Sequence, residues 1–254
     1  MRVHAVQLAY GDDESLDDRL RRVEGLVRSQ HGADLVLLPE LWPQGGFAYD
    51  RWEALAEPLD GPTVTAMSAI ARSLGITLHM GSIVERDQGG SLHNTSVLLG
   101  RDGEVQATYR KIHLFGFGEG EPKLMTPGTE VVVRDGLGLA TCYDLRFPEL
   151  FRALLDAGAE VVLLPAAWPS KRVAHWRLLA RARAVENQCY VVACNTAGTH
   201  SGVTMGGMSV VIDPWGEAIA EAGPDLEAVV AADLDLDALR RTRESFPVLA
   251  DRRL

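Results

Sequence analysis

The apolar residues of this chain come in short unbroken runs, and no other feature limits its fold as much. Residues 35–38 (Leu-Val-Leu-Leu), 161–164 (Val-Val-Leu-Leu) and 189–194 (Cys-Tyr-Val-Val-Ala-Cys) show no polar alternation. A strand that is apolar on both faces must be covered on both faces, the habit of sheets flanked by helices. Between these runs the spacing becomes helical. Leu16, Leu20, Val23 and Val27 recur at steps of four, three and four, which predicts a helix over 15–29. Further helices are predicted over 63–73, 148–157 and 174–186. Strands are predicted over 3–8, 77–83, 96–99, 105–109, 137–141, 208–212, 218–220 and 229–233. Asp102-Gly103 and Asp213-Pro214-Trp215-Gly216 read as hairpin turns. The expected fold class is α/β, with hairpins that make the sheets mixed. One echo stands out, between residues 33–39 (Ala-Asp-Leu-Val-Leu-Leu-Pro) and 159–165 (Ala-Glu-Val-Val-Leu-Leu-Pro). It is either a chance likeness of two core strands or the mark of two related sheets that each offer a strand end to a common cleft.

A chain of 254 residues can bury roughly 70% of its unfolded surface, so it needs no staple. No linker or composition shift divides it, and one domain over 1–254 is expected. Lys and Arg total 25 against 35 Asp and Glu, a net charge of −10, which argues against nucleic-acid or anionic-membrane partners. The apolar start, residues 3–8, is too short for a signal peptide. No window reaches the ~18 apolar residues of a membrane span. Three cysteines form no disulfide framework and point to a reducing, cytoplasmic setting.

Three residues invite a chemical reading. Cys142 ends an apolar strand a few residues before Pro148 opens a helix. A cysteine at such an elbow is either a presented nucleophile or an inert core thiol. Glu40 directly follows the run 35–39, where a partly desolvated carboxylate suits a general base; otherwise it is an ordinary loop glutamate. Lys111, in Tyr109-Arg110-Lys111-Ile112-His113, is either an oxyanion-stabilising ammonium or a surface lysine. Cys189 and Cys194 fit neither a redox pair nor a zinc hook and read as core. The histidines are scattered, and nothing around His113 or His175 supports pairing with Cys142. Gly136-Leu137-Gly138 and Gly116-Phe117-Gly118-Glu119-Gly120 lack the rest of any phosphate-binding motif, so neither a metal nor a cofactor is expected.

Together, Leu37-Leu38-Pro39-Glu40, Tyr109-Arg110-Lys111-Ile112-His113-Leu114-Phe115 and Cys142-Tyr143-Asp144-Leu145-Arg146-Phe147-Pro148-Glu149 resemble the signatures of the nitrilase, or carbon–nitrogen hydrolase, superfamily, in its order. The resemblance spans nearly the whole chain and after Cys142 looks most like the ω-amidase-type branch. It implies a four-layer αββα sandwich with two mixed β-sheets, no cofactor, and a Glu40–Lys111–Cys142 triad. An additional glutamate is implied before Pro127-Gly128; Glu119 and Glu121 compete for it, and Glu121 fits the spacing better. The implied reaction is attack of Cys142 on a small amide, with the oxyanion held by Lys111 and the Tyr143 N–H, and ammonia leaving before water cleaves a thioester. A nearby ammonium is expected to lower the thiol pKa.

The alternatives are a nitrilase, an N-carbamoyl amino acid hydrolase, or a non-catalytic binding or assembly module. A carboxylate-bearing substrate would need cations in the cleft of so acidic a chain. Lys123, Arg146, Lys171 and Arg172 are the candidates, with Trp168 walling an apolar stem. Arg146 alternatively pairs with Asp144 or Glu149, and Lys171 and Arg172 are alternatively solvated. The resemblance also implies at least a homodimer. The tail Phe246-Pro247-Val248-Leu249 with Arg252-Arg253 is the local hint, or else a strand tip covering its own domain.

Overall fold

The computed structural model describes residues 1–253. Two six-stranded sheets follow one plan. The first has the order β14(Ala228–Asp233), β1(Arg2–Gln7), β2(Leu35–Leu37), β3(Thr77–Arg86), β4(Leu92–Leu99), β5(Val105–Arg110). The second runs β6(Val133–Arg134), β7(Leu137–Leu139), β8(Val161–Pro165), β9(Tyr190–Cys194), β12(Val210–Ile212), β13(Ala218–Glu221). In each, three parallel strands carry one antiparallel strand on one side and two on the other. The echo in the sequence is thus β2 against β8, the same position in two matched sheets. A small hairpin, β10(Thr199–His200) with β11(Val203–Thr204), stands apart.

Helices fill the crossovers between parallel strands: α1(Leu16–Arg28) and α3(Pro62–Leu74) for the first sheet, α5(Pro148–Asp156) and α6(Val173–Asn187) for the second. Local chemistry sets their ends. The Ser15 hydroxyl caps α1 by accepting the Asp18 N–H at 3.1 Å. Pro62 opens α3, and Gly75, at φ 65°, closes it. The strand period then sorts the core. Val36 and Leu38 pack with Val23 and Val27 of α1 and Met67 and Ile70 of α3. Leu35 and Leu37 turn the other way, into a cluster shared with Leu139, Val162 and Leu164 of the second sheet and Phe151 and Trp176 of its helices. The result is the four-layer αββα sandwich.

Three short or sparse helices escaped the sequence reading: α2(Tyr49–Leu55), α4(Glu121–Leu124) and α7(Leu236–Ser245). In α7 only Leu239 is a buried apolar side chain, too little for a periodic signal. β3 and β4 are longer than predicted. Their added residues include Glu85, His93, Asn94 and Thr95, which are polar yet buried. No helix among the described residues is long and apolar enough to cross a membrane.

One glycine ties the first sheet to the strand end that matters. Gly81 lies at a register shift in β3 with φ 74°, and a Cβ there would sit 1.9 Å from the Pro39 carbonyl oxygen. Gly81→Ala must therefore push away the segment that leads to Glu40. Its expected cost is about 2–4 kcal/mol of stability, measurable by urea unfolding, with activity lost in the fraction that remains folded.

Candidate active site

Both proline-ended strands deliver their next residues to one place. After β2, Leu38 and Pro39 carry the chain to Glu40. After β8, Ala166 leads to Ala167, whose N–H donates to Glu40 Oε2 at 2.8 Å. Lys111 follows β5, its N–H donating to the Asn94 carbonyl at 2.8 Å and its carbonyl accepting from Gly128 N–H at 2.9 Å. So held, Lys111 Nζ donates to Glu40 Oε1 at 2.7 Å and to Glu121 Oε2 at 2.8 Å. Glu121, at the start of α4, also accepts the Phe115 N–H at 2.6 Å. Asn94 Nδ2 lies 2.8 Å from Glu40 Oε1 and 2.6 Å from Glu121 Oε1. All four side chains are buried.

Buried charges survive only when paired and hydrogen-bonded. Burial works against the Lys111 ammonium, but Glu121 and Glu40 outweigh it and hold it protonated well above the ordinary lysine range. Burial is the largest influence on Glu121, and with the nearby Glu40 charge it raises that carboxyl despite the opposing pull of Lys111.

Cys142 stands at the elbow between β7 and a 3-10 segment, Cys142–Arg146, with a φ of 46° that a non-glycine residue rarely adopts. Asp144 pins the turn. It accepts the Thr141 N–H at 2.8 Å, the Tyr109 hydroxyl at 2.7 Å and the His113 N–H at 3.1 Å, with His113 Nδ1 at 2.7 Å. The Tyr143 N–H, one residue past the sulfur, meets no backbone or side-chain acceptor among the described residues. Burial, then the Glu40 charge, push the Cys142 thiol well above the ordinary cysteine range against the pull of Lys111. This corrects the expectation of a lowered thiol pKa. The ammonium is committed to two carboxylates, and desolvation wins.

A narrow pocket opens above these groups, walled by Phe47, Tyr49, Phe115, Tyr143 and Trp168. Arg146 and Arg172 line its mouth. Their guanidinium carbons lie 4.8 Å from the Trp168 ring centre and 5.2 Å from that of Phe115. Neither forms a salt bridge among the described residues, and Arg146 donates instead to His175 Nδ1 at 3.3 Å. The alternative pairing of Arg146 with Asp144 or Glu149 is thus not seen. Trp168 is fixed through its N–H on Asn195 Oδ1 at 2.6 Å and its ring N–H on the Arg172 carbonyl at 2.8 Å.

Glu40, Lys111, Glu121, Cys142, Tyr143, Arg146, Trp168 and Arg172 therefore share one pocket. Lys171 does not. It sits in a 3-10 turn, Ser170–Arg172, where successive side chains diverge by about 120°, so Arg172 faces in and Lys171 faces solvent. Lys123 is also outside, paired with exposed Glu119 at 3.0 Å, which leaves Glu121 as the carboxylate on Lys111. Cys189 and Cys194 are buried, the latter donating to the Val6 carbonyl at 3.2 Å. Asn94, Asp144 and Asn195 were missed by sequence reasoning. The available signal for Asn94 was polar residues inside a strand whose neighbours are apolar. Among the described residues no group of three or more His, Cys, Asp or Glu side chains is placed to hold a metal ion.

Matched sheets that bury a Glu–Lys–Glu cluster beneath a cysteine elbow define a carbon–nitrogen hydrolase. The chain belongs to that family, whose model matches residues 2–244. It is 44% identical over 262 residues to the 2-oxoglutaramate amidase of Paenarthrobacter nicotinovorans, covering 99% of this chain and 89% of that one. It is 35% identical over 268 residues to the ω-amidase of Homo sapiens, covering 99% and 95%. A solved member of branch 10 of the nitrilase superfamily from Saccharomyces cerevisiae shares its fold at a TM-score of 0.90 and 32% identity, covering 100% of this chain and 97% of that one.

Iodoacetamide is expected to label Cys142 and spare the two core thiols. The labelling rate should still be climbing at about pH 9, where an ordinary thiol is mostly ionised. Mapping by mass spectrometry across pH checks both points, and a plateau near neutrality would instead reveal a preformed thiolate.

Proposed function

We propose that this protein hydrolyses the terminal amide of a short acid carrying a carboxylate at its far end, releasing ammonia through a Cys142 thioester. 2-Oxoglutaramate-type monoamides lead the candidates, because the relatives at 44% and 35% identity carry the names 2-oxoglutaramate amidase and ω-amidase. One observation of this molecule carries the reading: two guanidinium groups without salt-bridge partners among the described residues, lining an aromatic pocket above a thiol that faces a buried carboxylate.

As Cys142 Sγ attacks the amide carbon, its proton passes to Glu40 Oε2 and negative charge collects on the carbonyl oxygen. The Lys111 ammonium and the Tyr143 N–H stabilise that oxyanion. Glu40 then gives the proton to the departing nitrogen, and the tetrahedral intermediate collapses to a thioester and ammonia. Water next loses a proton to Glu40 as it attacks the thioester, and collapse returns the acid product and the free thiol. Glu121 keeps the ammonium in register beside both centres. Arg172 and Arg146 take the distal carboxylate, while Trp168 and Phe115 wall the methylenes between.

The decisive comparison is kcat/KM for succinamate or glutaramate against butyramide. The charged amides are expected to be better by about 10- to 100-fold, the usual worth of a hydrogen-bonded charge pair. Arg172→Ala and Arg146→Ala should erase much of that advantage, while Lys171→Ala leaves it intact. Equal efficiency on charged and neutral amides would overturn the carboxylate assignment.

The same reading takes the chain as one catalytic unit in a reducing, cytoplasmic setting, where three free thiols persist, and as a homodimer. The tail does not support the dimer, because Arg252 pairs with Asp156 of its own chain and Phe246 stacks on Trp215. Exposed Leu178 and Val185, two turns apart on α6, support it better. Sedimentation at micromolar concentration should show about twice 27.6 kDa, and Leu178→Glu should halve it; a 27.6 kDa species in the unsubstituted protein would exclude the dimer.

A further inference from the structure

Glu40 and Glu121 each turn one oxygen, Oε1, toward the same two donors. Lys111 Nζ reaches these oxygens at 2.7 and 3.1 Å, and Asn94 Nδ2 reaches them at 2.8 and 2.6 Å. The two carboxylates and two nitrogens thus close a ring in which only Lys111 carries positive charge. Asn94 comes from the middle of β4, and its backbone carbonyl also holds the Lys111 N–H. Its own Oδ1 is buried and meets no donor among the described residues. A buried acceptor left unpaired is destabilising, so the fold keeps this amide for its two N–H donors.

We propose that Asn94 is a positioning residue that selects which oxygen of Glu40 exchanges protons. Lys111 and Asn94 occupy Glu40 Oε1, whereas Oε2 accepts one N–H, from Ala167, and keeps a lone pair for the Cys142 proton. A second ammonium in the place of Asn94 would bind the carboxylates too strongly to let Glu40 act as a base. A hydrophobic residue would leave both Oε1 atoms with Lys111 as their one donor among the described residues. A neutral double donor holds both and adds no charge. Besides Lys111 within the ring, the titratable groups that feel its charge are Cys142 at the elbow, Tyr49 at the start of α2 and Tyr10 after β1. This role rests on the proposed amidase reaction with Glu40 as its base.

The test is the pH profile of kcat and KM for glutaramate in Asn94→Ala and Asn94→Asp. For Asn94→Ala the expected result is a kcat lower by about 10- to 100-fold, with KM within about threefold. The acid limb of kcat/KM should move to higher pH, because the coupled carboxylates lose a donor that favours their charged form. Asn94→Asp keeps the shape but reverses the chemistry. It should be worse than Asn94→Ala at neutral pH and recover as the pH falls and its carboxyl regains a proton to donate. Wild-type pH profiles in both variants, a raised KM at constant kcat, or Asn94→Asp surpassing Asn94→Ala at every pH would each overturn the proposal. If neither variant folds, NMR of the unsubstituted protein decides. Both Nδ2 protons of Asn94 should be protected from solvent and shift with the acid limb, and fast exchange or indifference to pH would overturn the role. Glu40→Gln serves as the control. Normal turnover by that variant would refute the amidase mechanism itself, whereas an inactive Glu40→Gln beside unperturbed Asn94 variants refutes only the positioning role.

Discussion

A lysine ammonium buried between two carboxylates is the constraint around which this molecule is arranged. Lys111 cannot remain charged in the interior without Glu40 and Glu121, and those carboxylates cannot share a dry site without Lys111. Removing Lys111 strands two buried carboxylates, whereas removing either glutamate leaves the ammonium a single counter-charge, so Lys111 is the member the others depend on. Its members come from distant parts of the chain: the end of β2, the end of β5, the first turn of α4 and, through Asn94, the interior of β4. The cluster therefore forms only once β2 to β5 of the first sheet are in place. The folded arrangement and the chemistry are specified by the same contacts.

The second sheet adds what the first lacks. Its elbow after β7 carries Cys142, and the segment after β8 supplies the Ala167 N–H to Glu40. Two sheets of equal design thus face each other with their proline-ended strands meeting at one hydrogen bond. The halves are unequal in chemistry. The first buries charge, and the second presents a strained turn whose only buried carboxylate, Asp144, holds the turn rather than reacting. Division of labour between matched halves places the site at their seam, where each sheet contributes strand ends and neither could form the pocket alone.

Much of this was legible in the sequence because the responsible signals are local. Continuous apolar runs marked the parallel strands, Pro148 marked a helix start, and the echo between residues 33–39 and 159–165 marked the two sheets. Glu40 and Cys142 stood out because each closes a strand-like run, and Lys111 because its motif resembles a signature of the family. What escaped depends on partners far along the chain. Asn94 lies in a stretch, His93-Asn94-Thr95, whose polarity hid a buried strand, because the groups that satisfy it arrive from residues 40 and 121. Glu121 could be preferred over Glu119 by spacing alone, but only the fold shows one on Lys111 and the other in water with Lys123. Lys171 and Arg172 are neighbours in sequence yet diverge in space, because a single 3-10 turn separates their directions. Composition and periodicity carry no information about that rotation.

The raised thiol of Cys142 fits this charge arrangement rather than opposing it. A preformed thiolate beside Glu40 and Glu121 would place three negative charges around one ammonium in a dry pocket. Keeping the proton on sulfur until a substrate arrives avoids that repulsion. In the proposed reaction the proton then moves to Glu40 as the sulfur–carbon bond forms, so the new negative charge appears on the substrate oxygen while Glu40 becomes neutral. The total charge of the site is unchanged, and only its location moves, from a carboxylate toward the oxyanion. Lys111 then no longer faces two ionised carboxylates and is freer to stabilise that oxygen. The same logic separates the two sets of cations. Lys111 is neutralised by its neighbours and serves charge that moves during the reaction. In the proposed reaction Arg146 and Arg172, outside any salt bridge among the described residues, serve charge that the substrate brings with it. In a chain of net charge −10, such a pair would give a small anion a local attraction that the overall charge does not.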